Sequence, residues 1–249
     1  MSEPRRILFL NTLGIVGGQE VVMLDIVRNL DARRYAARAA CLLPGPLVDA
    51  LESLGVPTTV LPRHRIRRPV TFARAVRELG RIIERERVDV VHCNGDTLLL
   101  YGALASLRRR TPCVWHVYEP VVTGGSSYAW LFYQTQRRLP RAWTIFGTAA
   151  VEESYLHHYP DLGPHSAIMP GVDIDALVQG ADPGAARRRL GIPENAPLLL
   201  AIGRLQRSKG LRELVEATAR LNGRFEPPHV VLCGGKAVMT DEDFEDELT

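Results

Sequence analysis

The chain has 249 residues, 46% of them apolar and 24% charged, which excludes a disordered or fibrous polymer and fits a globular protein with a sizeable core. The net charge of +3 hides an asymmetry: the last nine residues, DEDFEDELT, hold six acids and no base, so residues 1–240 carry +9. A basic body suits phosphate-bearing ligands or an anionic membrane surface.

Cys41, Cys93, Cys113 and Cys233 show no CxxC spacing and no histidines paired at metal spacing, so neither a disulfide framework nor a zinc site is expected. MSEPRRILFL has no signal-peptide architecture, and the longest apolar stretch, TLLLYGALASL, is too short to cross a bilayer. The expected location is the cytoplasm, with peripheral contact at the inner membrane face as a further expectation.

Short apolar runs of strand type alternate with amphipathic stretches along the whole chain. Strands are predicted at 6–11, 37–43, 57–61, 88–93, 112–117, 142–147, 165–169, 197–203 and 229–234, with helices at 19–30, 71–87, 97–108, 127–138, 148–158 and 209–222. Runs buried on both faces and separated by helices specify an α/β fold with a doubly wound parallel sheet. The first seven strands complete a Rossmann-like domain over residues 1–169. Residues 170–195, rich in Gly, Asp and Pro, form a linker with a short helix. A second domain of the same type starts over 196–249, and its two strands and one helix are too little to be stable alone.

The first strand ends at Asn11 and leads into TLGIVGGQEVVMLDIV. Gly14, Gly17 and Gly18 lie between strand and helix, where backbone amides and a helix N-terminus hold anions; a tight turn that merely needs glycine is the plain alternative. The loop is neither GxGxxG nor a P-loop. AIGRLQRSKGLRELVEA (201–217) has the same strand–loop–helix order. Only two of the chain's 31 basic residues are lysine, Lys209 and Lys236. Arg204 at the strand end and Lys209 at the helix start form a cation pair suited to a diphosphate. His116 ends a strand, where ligands of open α/β sheets bind, and Glu119 follows in the loop. His92 has a similar position and is assigned a structural role. Asp173 and Asp175 spell DxD but sit where Asp starts helices, so no metal is assigned. Residues 63–88 form a basic amphipathic segment in which Phe72, Val76, Leu79 and Ile83 share a face. A helix packed on the sheet is the plainer reading and a membrane-facing surface the other. The arginines lack interleaved aromatics, so nucleic acid is not expected.

GRLQRSKGLRELVEA resembles the GRL-xxx-KG segment of retaining GT-B glycosyltransferases, in the large family-four group (glycosyl transferases group 1). ILFLNTLGIVGGQEVVMLDIVRNL, VDVVHCNG, VWHVYEP and MPGVD resemble that family's glycine loop, DVVHxH strand, histidine-bearing strand and NGVD turn, in order. The resemblance covers the whole chain. It implies transfer of a sugar, with retention and without a metal or cofactor, from a nucleotide-diphosphate sugar to a carbohydrate or lipid-linked acceptor. Arg204 and Lys209 match the family's pair at the departing diphosphate, Gly17 and Gly18 its glycine loop, and His116 its active-site histidine; Glu119 is a possible acceptor contact. The family's late pair of glutamates, eight positions apart, has no match: Glu242, Glu245 and Glu247 have the wrong spacing. The chain is therefore expected to be truncated within its second domain. The alternatives are an inactive fragment binding an acceptor, partner or membrane, and, on the same two-domain plan, a nucleotide-sugar epimerase.

Overall fold

The computed structural model describes residues 3–12, 14–61, 68–95, 97–121, 127–139, 141–221 and 226–235. The chain divides into two compact units, Met1–Val172 and Asp173–Thr249.

The first unit contains β1 (Arg5–Asn11), β2 (Tyr35–Cys41), β3 (Thr58–Val60), β4 (Val90–Asn94), β5 (Cys113–Val117), β6 (Ala142–Phe146) and β7 (His165–Ala167). They form one wholly parallel sheet in the order β3-β2-β1-β4-β5-β6-β7. Parallel neighbours need long crossovers, and these are α1 (Gly18–Arg28), α2 (Pro46–Ser53), α3 (Pro69–Arg85), α4 (Leu98–Ser106), α5 (Ser127–Arg138) and α6 (Ala149–His158). The chain winds outward from β1 to β3, returns through α3 to β4, and winds the other way. The strand order therefore reverses between β1 and β4, and the C-terminal ends of strands at such a reversal are where open α/β sheets bind their ligands.

Side chains alternate across each strand, so the sheet has two cores. Phe9, Ala39 and Cys41 pack with Met23, Leu24 and Val27 of α1 and Leu47 and Leu51 of α2. Leu8, Leu10, Val91, Cys93 and Trp115 pack on the other face with residues of α3, α4, α5 and α6. The α2 helix was not foreseen in the sequence. PLVDALES nevertheless carries its signals, a proline in the first turn and leucines four apart, both fully buried. Gly and Pro beside it read as a loop.

The basic segment, described from Arg68 onward, takes the plainer of its two readings. Ala75, Leu79, Ile82 and Ile83 of α3 are buried, Phe72 and Val76 pack at the core's edge, and Arg74, Arg77, Arg81 and Arg85 face outward. Residues 62–67 lie outside the described residues, as does 236–249 with Lys236, Glu242, Glu245 and Glu247. Among the described residues no helix is long and apolar enough to cross a membrane.

The second unit contains α7 (Ile174–Val178), α8 (Pro183–Arg189), the parallel pair β8 (Leu198–Ile202) and β9 (His229–Cys233), and α9 (Leu211–Ala219). Asp173 caps α7, its carboxylate accepting the Ala176 amide at 2.9 Å. Leu211 is buried, Leu214 and Val215 are half-buried and Ala217 is exposed.

All three tryptophans, Trp115, Trp130 and Trp143, belong to the first unit, so their fluorescence follows its unfolding. Leu79→Ala leaves a cavity at a fully buried site and is expected to lower the first unit's stability by about 2–5 kcal/mol. Arg77→Ala on the outer face should change it by less than about 0.5 kcal/mol. Urea unfolding followed by tryptophan emission checks both; equal midpoints for the two variants would overturn this packing.

Candidate functional site

The register of the parallel sheet lines up Asn11, Asn94 and His116 as direct partners across β1, β4 and β5. Residues in one row of a sheet share a face, here the face of Phe9 and α1. Asn11, Asn94 and His116 are 1%, 1% and 3% exposed. Buried polar groups need partners: Asn11 and Asn94 find them in each other and in the first turn of α1, and His116 finds them in Tyr118 and His92. Asn94 Nδ2 donates to Asn11 Oδ1 at 3.0 Å and to the Gln19 carbonyl at 3.3 Å. Asn11 Nδ2 donates to Glu20 Oε1 at 3.4 Å, and Glu20 Oε2 accepts the Gly17 amide at 3.0 Å. Tyr118, just past β5, donates its hydroxyl proton to Asn94 Oδ1 at 2.7 Å and lies 3.0 Å from His116 Nδ1. Its ring stacks on His116 with centroids 4.3 Å apart.

His92, one row inward, places Nε2 3.3 Å from His116 Nδ1 and its ring 5.0 Å from that of Phe9. Burial disfavours the charged imidazolium. It lowers His92 to about 3, with the neighbouring His116 as a lesser cause, and lowers His116 to about 4. Both rings are neutral at pH 7. Burial, with the Glu20 charge as a smaller cause, also raises the Tyr118 phenol and keeps its proton in place. One atom of the row is unsatisfied: His116 Nε2 is buried with no hydrogen-bond partner among the described residues.

The glycine loop is fixed from two sides. Glu20, in the first turn of α1, reaches back to accept the amide of Gly17, the N-cap residue, which is the half of a capping box that glycine allows. Gly14 meets the β2–α2 loop, its carbonyl accepting the Leu47 amide at 2.8 Å; a Cβ on Gly14 would lie 2.2 Å from the Pro44 backbone. Gly14 is therefore a close-approach residue. The Gly17 amide is already engaged by Glu20, while Gly18 lies in the exposed first turn, where amides have no acceptor within the helix. Glu119 is exposed in the loop after β5.

In the second unit β8 ends at Ile202 and the chain turns out through Gly203 to Arg204. The turn is held by the Gly203 amide on the Cys233 carbonyl and the Leu205 amide on the Gly235 carbonyl. A Cβ on Gly234 would stand 1.7 Å from the Gly203 carbonyl oxygen, so only glycine fits beside this turn. Lys209 closes a 3₁₀ turn, Arg207–Lys209, and Gly210 at φ 67° separates it from α9. Lys209 therefore lies two residues ahead of α9 instead of opening it. Its stem passes over Gly203, and both Arg204 and Lys209 are exposed. Among the described residues no acid pairs with either cation.

The family described as "Glycosyl transferase 4-like domain" matches residues 17–161, more than half the chain. The chain belongs to this family. The D-inositol 3-phosphate glycosyltransferase of Corynebacterium urealyticum is 40% identical over 91 residues, 35% of this chain and 21% of that protein. The Geodermatophilus obscurus protein of the same name is 41% identical over 78 residues, 31% of this chain and 17% of its own length. The crystal structure of Anabaena HepE in complex with UDP-glucose superposes with a TM-score of 0.80 at 22% identity, over 98% of this chain and 64% of HepE. A glycosyltransferase from Rickettsia africae does so with a TM-score of 0.80 at 17% identity, over 99% of this chain and 64% of its own. The chain thus spans less than two thirds of these proteins, and its α/β fold is the GT-B type they share.

Within the glycosyl transferase 4-like domain lie Gly17, Gly18, His116 and Glu119 of the residues singled out in the sequence; Arg204 and Lys209 lie in the second unit. The structure joins His116 to four residues that the sequence did not single out: Asn11, Glu20, Asn94 and Tyr118. Glu20 carried a signal, a glutamate three residues after a helix-capping position.

The buried histidines make stability depend on pH in a defined direction. Unfolded histidine titrates near pH 6.5 and both folded values lie lower, so the unfolded chain binds more protons in acid. Their contribution is intact above about pH 6.5 and is lost as pH falls toward 4. Each histidine should add about 1.4 kcal/mol per pH unit to the slope between these limits. Replacing His92 by Gln should reduce the slope by one proton's worth in urea titrations at pH 7, 6 and 5. A slope unchanged in His92→Gln would contradict the assignment.

Proposed function

We propose that the chain is the acceptor-side domain and first donor-side elements of a glycosyltransferase acting on a nucleotide-diphosphate sugar, with retention and without a metal. In the reaction an acceptor hydroxyl oxygen bonds to the anomeric carbon as the bond from that carbon to the phosphate oxygen breaks. The nucleoside diphosphate departs and takes up the acceptor's proton. Arg204 and Lys209 hold the departing diphosphate, His116 hydrogen-bonds the donor sugar, the Gly18 amide of the Gly17–Gly18 loop approaches the diphosphate while Glu20 holds the Gly17 amide and so shapes the loop, and Glu119 faces the acceptor. Negative charge grows on the leaving phosphate, so preorganised cations there lower the barrier most.

The observation that carries this reading is the exposed pair of Arg204 and Lys209, without an acid partner among the described residues, on a turn that Gly234 holds at close quarters. Family membership and the resemblance of HepE, which binds UDP-glucose, support it. The acceptor is a hydroxyl of a carbohydrate or lipid-linked molecule. Contact with an anionic membrane through α3 is a second reading, favoured by exposed Arg68, Arg74 and Arg77 beside Val70, which is 74% exposed.

Calorimetric titration with UDP, GDP and ADP tests the cation pair. One nucleotide should bind, and Arg204→Ala/Lys209→Ala should weaken it by about tenfold or more, as loss of charge-assisted hydrogen bonds does. In sugar-transfer assays Lys209→Ala should lower turnover by about a hundredfold. Equal nucleotide affinity in wild type and double variant would remove both residues from the donor site.

A further inference from the structure

The direction of the hydrogen bonds that lead from Asn94 to His116 can be worked out from one group. The Gln19 carbonyl oxygen only accepts, so the Asn94 atom 3.3 Å from it is the amide nitrogen. Asn94 Oδ1 therefore faces Tyr118, and at 2.7 Å the phenol must donate to it. A phenol has one proton, and that proton is now used. Across the 3.0 Å to His116 Nδ1, Tyr118 can then only accept, which places a proton on Nδ1. The opposite tautomer would set a nitrogen lone pair against an oxygen lone pair. His92 Nε2, 3.3 Å from the same nitrogen, is a second acceptor for that N–H. Because the His116 ring is neutral, its other nitrogen carries a lone pair, and that is the buried atom without a partner.

We infer that Tyr118, held by Asn94, is a positioning residue that locks His116 in the Nδ1–H tautomer, so that Nε2 is an acceptor reserved for a hydrogen-bond donor of the bound ligand. A buried acceptor left unpaired is costly. A ligand O–H or N–H removes that cost; a fluorine, ether or carbonyl at the same place, which can only accept, does not. The subsite therefore selects for a hydrogen-bond donor, which on an unsubstituted sugar is a hydroxyl. That the hydroxyl belongs to a donor sugar rests on the proposed function; the tautomer does not.

The test is a long-range proton–nitrogen correlation spectrum of the ¹⁵N-histidine-labelled chain at pH 7, with His116 assigned by its loss in His116→Gln. The expected spectrum has a protonated Nδ1 and an unprotonated Nε2. Tyr118→Phe keeps the stacked ring, removes the acceptor and should move the pair toward the Nε2–H form. A wild-type spectrum with the proton on Nε2 overturns the inference, whatever the variant does. UDP-glucose serves as the ligand probe. On binding it should shift Nε2 as an accepted hydrogen bond does. Tyr118→Phe should weaken it about tenfold while leaving UDP affinity unchanged, a split that general loss of structure does not produce. Bound UDP-glucose with Nε2 unmoved overturns the hydroxyl subsite. Failure of UDP-glucose to bind, with the Nδ1–H spectrum intact, upholds the tautomer and counts against the donor reading alone.

Discussion

In a parallel sheet the register of neighbouring strands decides which side chains meet at the strand ends. Here it sets Asn11 against Asn94 and Asn94 against His116, beside the point where the winding reverses. Slipping one strand by a single residue would turn its polar member to the opposite face, into the apolar packing of Leu10, Cys93 and Trp115. The register is held against such slips because both faces of the sheet are buried. The two cores therefore stabilise the fold and also keep the polar row aligned. The Gly95 amide, bonded to the His116 carbonyl at 3.0 Å, ties the ends of β4 and β5 together one step beyond the row.

The two units present different kinds of polar group. In the first, desolvation keeps His92 and His116 neutral at pH 7, and the row is held together by the direction of each hydrogen bond. Such a network is demanding: in low dielectric an unmatched donor or acceptor is costly, and a matched one is stronger than in water. In the second unit Arg204 and Lys209 are exposed. Under the proposed function they meet a diphosphate, which needs formal charge and tolerates some latitude in position, whereas a sugar hydroxyl needs a lone pair at one place.

Much of the fold was legible because a doubly wound sheet writes itself as repeated apolar runs: each of the nine predicted strands overlaps an observed one. The exception, α2, was obscured by Gly45 and Pro46, which signal a turn as readily as a helix start. Lys209 and Arg204 stood out because lysine is so scarce here. The network around His116 was not legible. Asn11 and Asn94 lie 83 positions apart, and nothing in their local sequence says that the register will make them partners. Tyr118 was passed over for a related reason. Two residues past His116 it could face solvent as easily as the histidine, and only the folded strand end stacks the two rings.

Asn94 also explains how the row can differ from the pattern it resembles. VDVVHCNG carries asparagine where DVVHxH has its second histidine. At this position the side chain gives two protons, to Asn11 and to the Gln19 carbonyl, and takes one from Tyr118. A neutral imidazole has one donor and one acceptor, and a charged one has two donors and no acceptor; only a primary amide offers two donors and an acceptor together without charge. Histidine at 94 would thus leave either the Gln19 carbonyl or the Tyr118 proton without its partner. In the second case Tyr118 could turn its proton toward His116 Nδ1 and release the tautomer. Asparagine at 94 and tyrosine at 118 therefore act as one unit, and the state of His116 depends on both.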